Sequence, residues 1–199
     1  IETEHPEMVL ILSGDHIYKM DYSNMILFHK ENEADITVAC MEVPIDEGKR
    51  FGVIKTNEEN RIVGFHEKPS EPIPSPSNPE AALASMGIYL FNTKTLVKAI
   101  IDDAKQDTNH DFGKNIIPDM IDSKRVYAYP FRDGNNNGLN YWRDIGTLDA
   151  YWEANMDLVQ ISPEFNLYDK NWPIRTYKAQ YPPAKTVYKK DFPGERTDM

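Results

Sequence analysis

The spacing of apolar residues changes repeatedly along this chain, and the changes mark out strands and helices in alternation. Val9, Leu10, Ile11 and Leu12 form a short continuous apolar run that reads as a buried strand of a parallel sheet. The run breaks at Ser13-Gly14-Asp15-His16, a turn that carries a carboxylate. A helix is predicted from about Tyr22 to Glu33, with Met25, Ile26 and His29 on one face and Asp21 as its N-cap. Asp35 to Val43 then alternates as a strand, setting Ile36, Val38 and Cys40 on one side and Ala39, Met41 and Val43 on the other. Phe51 to Thr56 and Arg61 to Glu67 read as a hairpin joined through Asn57-Glu58-Glu59-Asn60.

Five prolines fall between Pro69 and Pro79, too many for a helix or a central strand, so this stretch is expected to be an extended surface loop within one domain. A strand resumes over Ser85 to Phe91. Thr93 to Lys105 follows as a helix whose buried stripe would be Leu96, Val97, Ile100, Ile101 and Ala104. A short helix is expected over about Gly113 to Ile121, and a strand over Val126 to Phe131. Asp133 to Gly138 then makes a turn, and Tyr141 to Asp144 a returning strand. Thr147 opens a helix to about Gln160, with Leu148, Tyr151, Trp152, Asn155 and Val159 on one side and with Tyr151 and Trp152 as packing residues. From Ser162 onward no period is sustained and prolines recur. The chain therefore divides into a domain over residues 1–162 and a connector over 163–199. Charged residues lead straight into a core-like first strand, which suggests further alternating units upstream.

The 199 residues suffice to bury a sizeable core. A formal charge of −10 removes the field of Lys and Arg that attracts nucleic acid or an anionic membrane, so neither is expected as a partner, and an anionic small substrate would need a local cationic pocket. Cys40 is the only cysteine, which rules out an internal disulfide and a cysteine-rich zinc site and fits a cytoplasmic compartment. No apolar stretch approaches the roughly 18 residues of a membrane span.

Ligands of open α/β sheets bind at the carboxyl ends of strands, and Asp15 and Asp144 both lie where a predicted strand stops. Paired carboxylates from separate strands can hold Mg²⁺, which keeps several waters and takes its other ligands from phosphates. An aspartate that caps the next turn explains Asp15 equally well. In Phe65-His66-Glu67-Lys68-Pro69, Pro69 is expected to hold Lys68 extended at the end of a strand. Its ammonium suits a phosphate dianion and Glu67 can accept from sugar hydroxyls, unless the two are an exposed surface pair. His16 and His110 read as hydrogen-bonding residues of turns, and Asp102-Asp103 as a solvated face.

Five segments, Ser13-Gly14-Asp15-His16-Ile17-Tyr18, Phe65-His66-Glu67-Lys68-Pro69, Ser85-Met86-Gly87-Ile88-Tyr89, His110-Asp111-Phe112-Gly113-Lys114 and Tyr141-Trp142-Arg143-Asp144-Ile145-Gly146-Thr147, occur in order and together resemble the glucose-1-phosphate adenylyltransferases, also called ADP-glucose pyrophosphorylases. The resemblance implies an α/β, Rossmann-like nucleotidyltransferase fold with a mixed, mostly parallel sheet, here without its first βα units. It also implies a linker toward a left-handed β-helix domain and an allosteric homotetramer serving glycogen or starch synthesis. The implied reaction moves an adenylyl group from ATP to glucose 1-phosphate. Carried over by position, Asp15 and Asp144 hold Mg²⁺ and Lys68 binds the sugar phosphate, while Glu67, Ser85, Tyr89, Asp111, Phe112 and Trp142 line the sugar pocket. The glycine-rich loop of that family has no counterpart among the ten scattered glycines, so the chain by itself is expected not to turn over. Two other readings remain: a related sugar-1-phosphate nucleotidyltransferase with another base or sugar, and a noncatalytic regulatory subunit.

Overall fold

A computed structural model of the chain describes residues 4–131, 141–170, 172–175, 180–182, 187–188 and 196–197. The turn expected over Asp133 to Gly138 lies outside the described residues. Two compact units result, Ile1–Phe165 and Asn166–Met199. In the second, the short strands β9 (Val187–Tyr188) and β10 (Arg196–Thr197) pair antiparallel.

The first unit is built on a six-stranded mixed sheet. Strand β6 (Ala81–Asn92) is its spine, with β3 (Ile36–Pro44) alongside it and β7 (Val126–Pro130) beyond β3. On its other side β6 pairs with β1 (Met8–Ile11) toward one end and with β4 (Gly52–Thr56) toward the other, and β5 (Ile62–Glu67) completes the edge. The α/β class expected from the sequence holds, but the balance of directions is reversed. Only β3 and β7 run parallel among the described strands, and every other pairing in this sheet is antiparallel. A continuous apolar run reports cover on both faces and says nothing about direction. In β3 the residues from Ile36 to Cys40 are all buried, which is why its alternation carried so little facing information. Strand β1 is only half-buried and lies antiparallel to β6, unlike the buried parallel strand its composition suggests.

Helix α1 (Tyr22–Glu31) is capped by Asp21, whose Oδ1 accepts from the Ser23 N–H at 2.9 Å, and it buries Met25 and His29. Helix α2 (Thr93–Asp103) buries Thr95, Leu96 and Asp103, whereas Val97, Ile100 and Ile101 are exposed. Helix α4 (Leu148–Leu158) is opened by Thr147 as expected and buries Ala154 alone. Leu148, Tyr151, Trp152 and Val159 are exposed, so Tyr151 and Trp152 are not the packing residues that the pattern suggested. A 3.6-residue apolar stripe identifies a face that gains by being covered, but it does not supply the cover. The expected helix over Gly113 to Ile121 resolves into a π-turn (Phe112–Ile116) followed by the single turn α3 (Ile117–Met120). The proline-rich loop stays in the first unit, with Ser75 bonded to the Glu42 carboxylate at 2.6 Å and Pro74 bridged to Ala82.

Candidate active site

After β1 the chain turns through Leu12 to Asp15 and enters β2 (His16–Tyr18), which pairs antiparallel with β8 (Trp142–Asp144). In this ladder His16 stands opposite Asp144 and Tyr18 opposite Trp142, so two segments distant in sequence deliver Asp15 and Asp144 to one corner. His16 Nε2 lies 3.7 Å from Asp15 Oδ1 and 3.8 Å from Asp144 Oδ1. The two carboxylates can therefore be no farther apart than those two distances together. Ser13 Oγ donates to Asp15 Oδ1 at 2.7 Å and holds that carboxyl below its ordinary range, with the nearby imidazole contributing. Asp144 Oδ1 accepts from the Gly146 N–H at 3.1 Å. The Asp15 side chain is 61% exposed and that of Asp144 28%, so Asp15 presents the more open face.

Two carboxylates with hard oxygen donors and no thiolate suit a cation such as Mg²⁺, which needs one or two protein carboxylates and completes its octahedron with water and phosphate. Among the described residues no group of three or more His, Cys, Asp or Glu side chains forms an all-protein metal cage.

Of the residues predicted to line a sugar pocket, Trp142 stands on β8 at the corner, whereas Glu67, Ser85, Tyr89, Asp111 and Phe112 line a wall made by β5, β6 and the π-turn. Glu67 ends β5 and its carboxylate occupies a slot between two glycines, where a Cβ would lie 2.9 Å from Oε2 at Gly52 and 2.8 Å at Gly113. Burial, then the charge of Asp111, push the Glu67 carboxyl above its ordinary range, and the ammonium groups of Lys68 and Lys114 oppose them. Burial likewise raises the Tyr89 phenol, which shares a hydrogen bond with Ser85 and senses the charges of Glu67 and Asp111. The Tyr89 ring packs on Phe112 at 5.6 Å, and Phe112 on Phe91 at 5.8 Å. Asp111 is occupied structurally: its Oδ1 accepts from the N–H groups of Gly113 and Lys114, both at 2.8 Å, and so caps the π-turn. Behind it, Asp103 is buried and holds Thr108 at 2.7 Å and His110 at 2.6 Å, so it is not the solvated carboxylate that its sequence suggested.

Lys68 departs from expectation. Its φ is +47°, left-handed backbone rather than the extended form anticipated before Pro69, and its N–H donates to the Phe51 carbonyl at 3.0 Å. That bond continues the β4–β5 pairing one step past Gly52 and Glu67, and positive φ at a non-glycine residue is a strain tolerated where the surroundings fix it. Phe51 also joins the two groups, because its ring lies 5.2 Å from that of Trp142, which in turn packs edge-on against His16 at 5.2 Å. Corner and wall are thus neighbours. Reasoning from the sequence missed Phe51, the two glycines that clear the Glu67 slot, and Gly87. A glycine inside a strand is the signal that could have found the last of these, because it marks a bulge or a close approach.

Residues 1–161 match the family model described as nucleotidyl transferase, and the chain belongs to that family. Among curated proteins it is similar to glucose-1-phosphate adenylyltransferase 2 of Alkalilimnicola ehrlichii, with 51% identity over 191 residues, 96% of this chain and 45% of that protein. The glucose-1-phosphate adenylyltransferases of Methylococcus capsulatus (53% identity; 96% of this chain, 45% of the relative) and Rhodopirellula baltica (52%; 94% and 42%) are comparably similar. The chain spans less than half the length of these relatives. Among the described residues no helix is long and apolar enough to cross a membrane.

Proposed function

We propose that the full-length protein transfers the adenylyl group of ATP to glucose 1-phosphate, giving ADP-glucose and pyrophosphate. The supporting observation is the meeting of Asp15 and Asp144 around His16 beside a wall that carries Glu67, Ser85 and Tyr89. The relatives' names supply the choice of sugar and base. The phosphate of glucose 1-phosphate is anionic at neutral pH, so its oxygen can attack the α-phosphorus without a general base. Lys68 neutralises that phosphate, and Glu67, Ser85, Tyr89, Asp111, Phe112 and Trp142 orient the sugar for in-line displacement of pyrophosphate. Asp111 does so with the carboxylate oxygen that its cap leaves over. Asp15 and Asp144 would hold Mg²⁺, which when bound neutralises charge on the ATP phosphates.

In this reading residues 1–162 are part of the catalytic domain and 163–199 a linker. The protein acts as a cytoplasmic, allosteric homotetramer in glycogen or starch synthesis, and the 199 residues alone, which contain no glycine-rich phosphate loop, are inactive. The test is pyrophosphate release by the full-length protein against a panel of nucleoside triphosphates and sugar 1-phosphates. ATP with glucose 1-phosphate should give the highest kcat/KM. A higher value for another base or sugar would support the related nucleotidyltransferase instead, and no turnover with any pair would support the regulatory subunit.

A further inference from the structure

His16 belongs to neither set of site residues implied by the resemblance, yet it touches both. Between Val38 and Cys40 the register of β3 against β6 slips, so that Ala39 alone stands opposite Met86, Gly87 and Ile88. Gly87 sits at the centre of this bulge with φ +66°, left-handed backbone that a side chain would strain, and a Cβ there would lie 3.5 Å from His16 Cε1. The Met86 carbonyl beside it meets His16 Nδ1 at 3.0 Å, and Trp142 Nε1–H approaches the same nitrogen at 3.3 Å. The ring is held there in either tautomer, because Nδ1 donates to Met86 when protonated and accepts from Trp142 when not. With Nδ1 tied to the sugar side, Nε2 is left facing the two carboxylates at 3.7 and 3.8 Å. Those separations exceed hydrogen-bond length, so the imidazole stands against both carboxylates without bonding either.

We propose that His16 is a positioning residue for the cation site: seated on the β6 bulge and on Trp142, its ring fixes the spacing of Asp15 and Asp144. The proposal rests on the assignment of those two carboxylates as metal ligands. Residues that hold metal-binding carboxylates in place are worth a substantial share of metal affinity even though they do not touch the ion.

Two substitutions separate the seat from the spacer. His16→Asn keeps a polar group where Nδ1 meets Met86 and removes everything facing the carboxylates, whereas His16→Gln restores an amide near the position of Nε2. Mn²⁺ is the probe, titrated into the full-length protein with saturating ADP-glucose and no pyrophosphate, free ion being read by electron paramagnetic resonance. His16→Asn should weaken Mn²⁺ about 10- to 100-fold and His16→Gln only about threefold, while Asp144→Asn removes binding at this site. ADP-glucose affinity without metal should fall far less than Mn²⁺ affinity in His16→Asn, since only the edge contact with Trp142 is altered on the sugar side. Wild-type Mn²⁺ affinity in His16→Asn, or equal loss in both His16 variants, with Asp144→Asn still deficient, would overturn the role of His16 alone. Wild-type affinity in Asp144→Asn would overturn the metal assignment itself and this proposal with it.

Discussion

The carboxylate corner and the wall that carries Glu67, Ser85 and Tyr89 are built by different means. The corner rests on β2 and β8, three residues each, and its Asp15 is mostly exposed. The wall is rooted in long strands of the central sheet: Ser85 is buried in β6, Glu67 fills a slot that two glycines keep open, and Tyr89, Phe112 and Phe91 stack behind it. On the proposed function the wall reads the shape of a neutral ring, a task that gains from side chains locked by packing. On the same proposal the corner meets a hydrated cation and a phosphate and must stay open to water, and its order comes from a few polar contacts instead. The difference predicts that damage to the corner falls on chemistry and damage to the wall falls on binding and folding.

Asp144→Asn gives the sharpest break. It should lower kcat by about 10²- to 10³-fold, the scale seen when a group that stabilises transition-state charge is removed, with glucose 1-phosphate affinity little changed. Steady-state kinetics with calorimetry on the same variant checks the split. A loss confined to sugar binding would merge the two regions into one.

Gly52→Ala should act on the wall through folding. The added Cβ would lie 2.6 Å from Phe65 Cζ and 2.9 Å from Glu67 Oε2, an overpacking that costs about 1–3 kcal/mol and lowers the thermal midpoint. Glu67→Gln should do the opposite, more weakly. An acid whose folded pKa is raised contributes stability that is present below its unfolded pKa and lost as pH rises through the folded value, so near neutrality the Glu67 carboxylate works against the fold. The variant should therefore melt higher than wild type near pH 8. Its advantage should vanish near pH 3, below the ordinary glutamate range, while sugar binding weakens at neutral pH. A variant that melts lower at both pH values would show that Glu67 supports the wall in its ionised form.

Much of this fold can be read from residue spacing. The hairpin around Asn57 to Asn60, the Asp21 cap of α1 and the Thr147 cap of α4 depend on local chemistry, and each is where its residues place it. Direction within the sheet was not legible, because β1 and β3 carry the same apolar runs whether their neighbours run parallel or antiparallel. The exposed stripes of α2 and α4 were misread for a related reason: periodicity is local and cover is not. Residues of the five motifs form the corner, with Asp15, Trp142 and Asp144, and the wall, with Glu67, Ser85, Tyr89, Asp111 and Phe112. The devices that shape it are tertiary, namely the left-handed turn at Lys68, the Asp111 cap, the bulge at Gly87 and the Phe51 bridge.

On the proposed function Lys68 serves the same ligand as the wall beside the corner. Calorimetric titration of the full-length protein with glucose 1-phosphate, wild type against Lys68→Ala, tests it directly. Loss of one charged, hydrogen-bonded contact predicts affinity weaker by about ten- to more than a hundredfold, or 1.5–3 kcal/mol. An unchanged dissociation constant would contradict it, since Lys68 would then lie outside the sugar phosphate site.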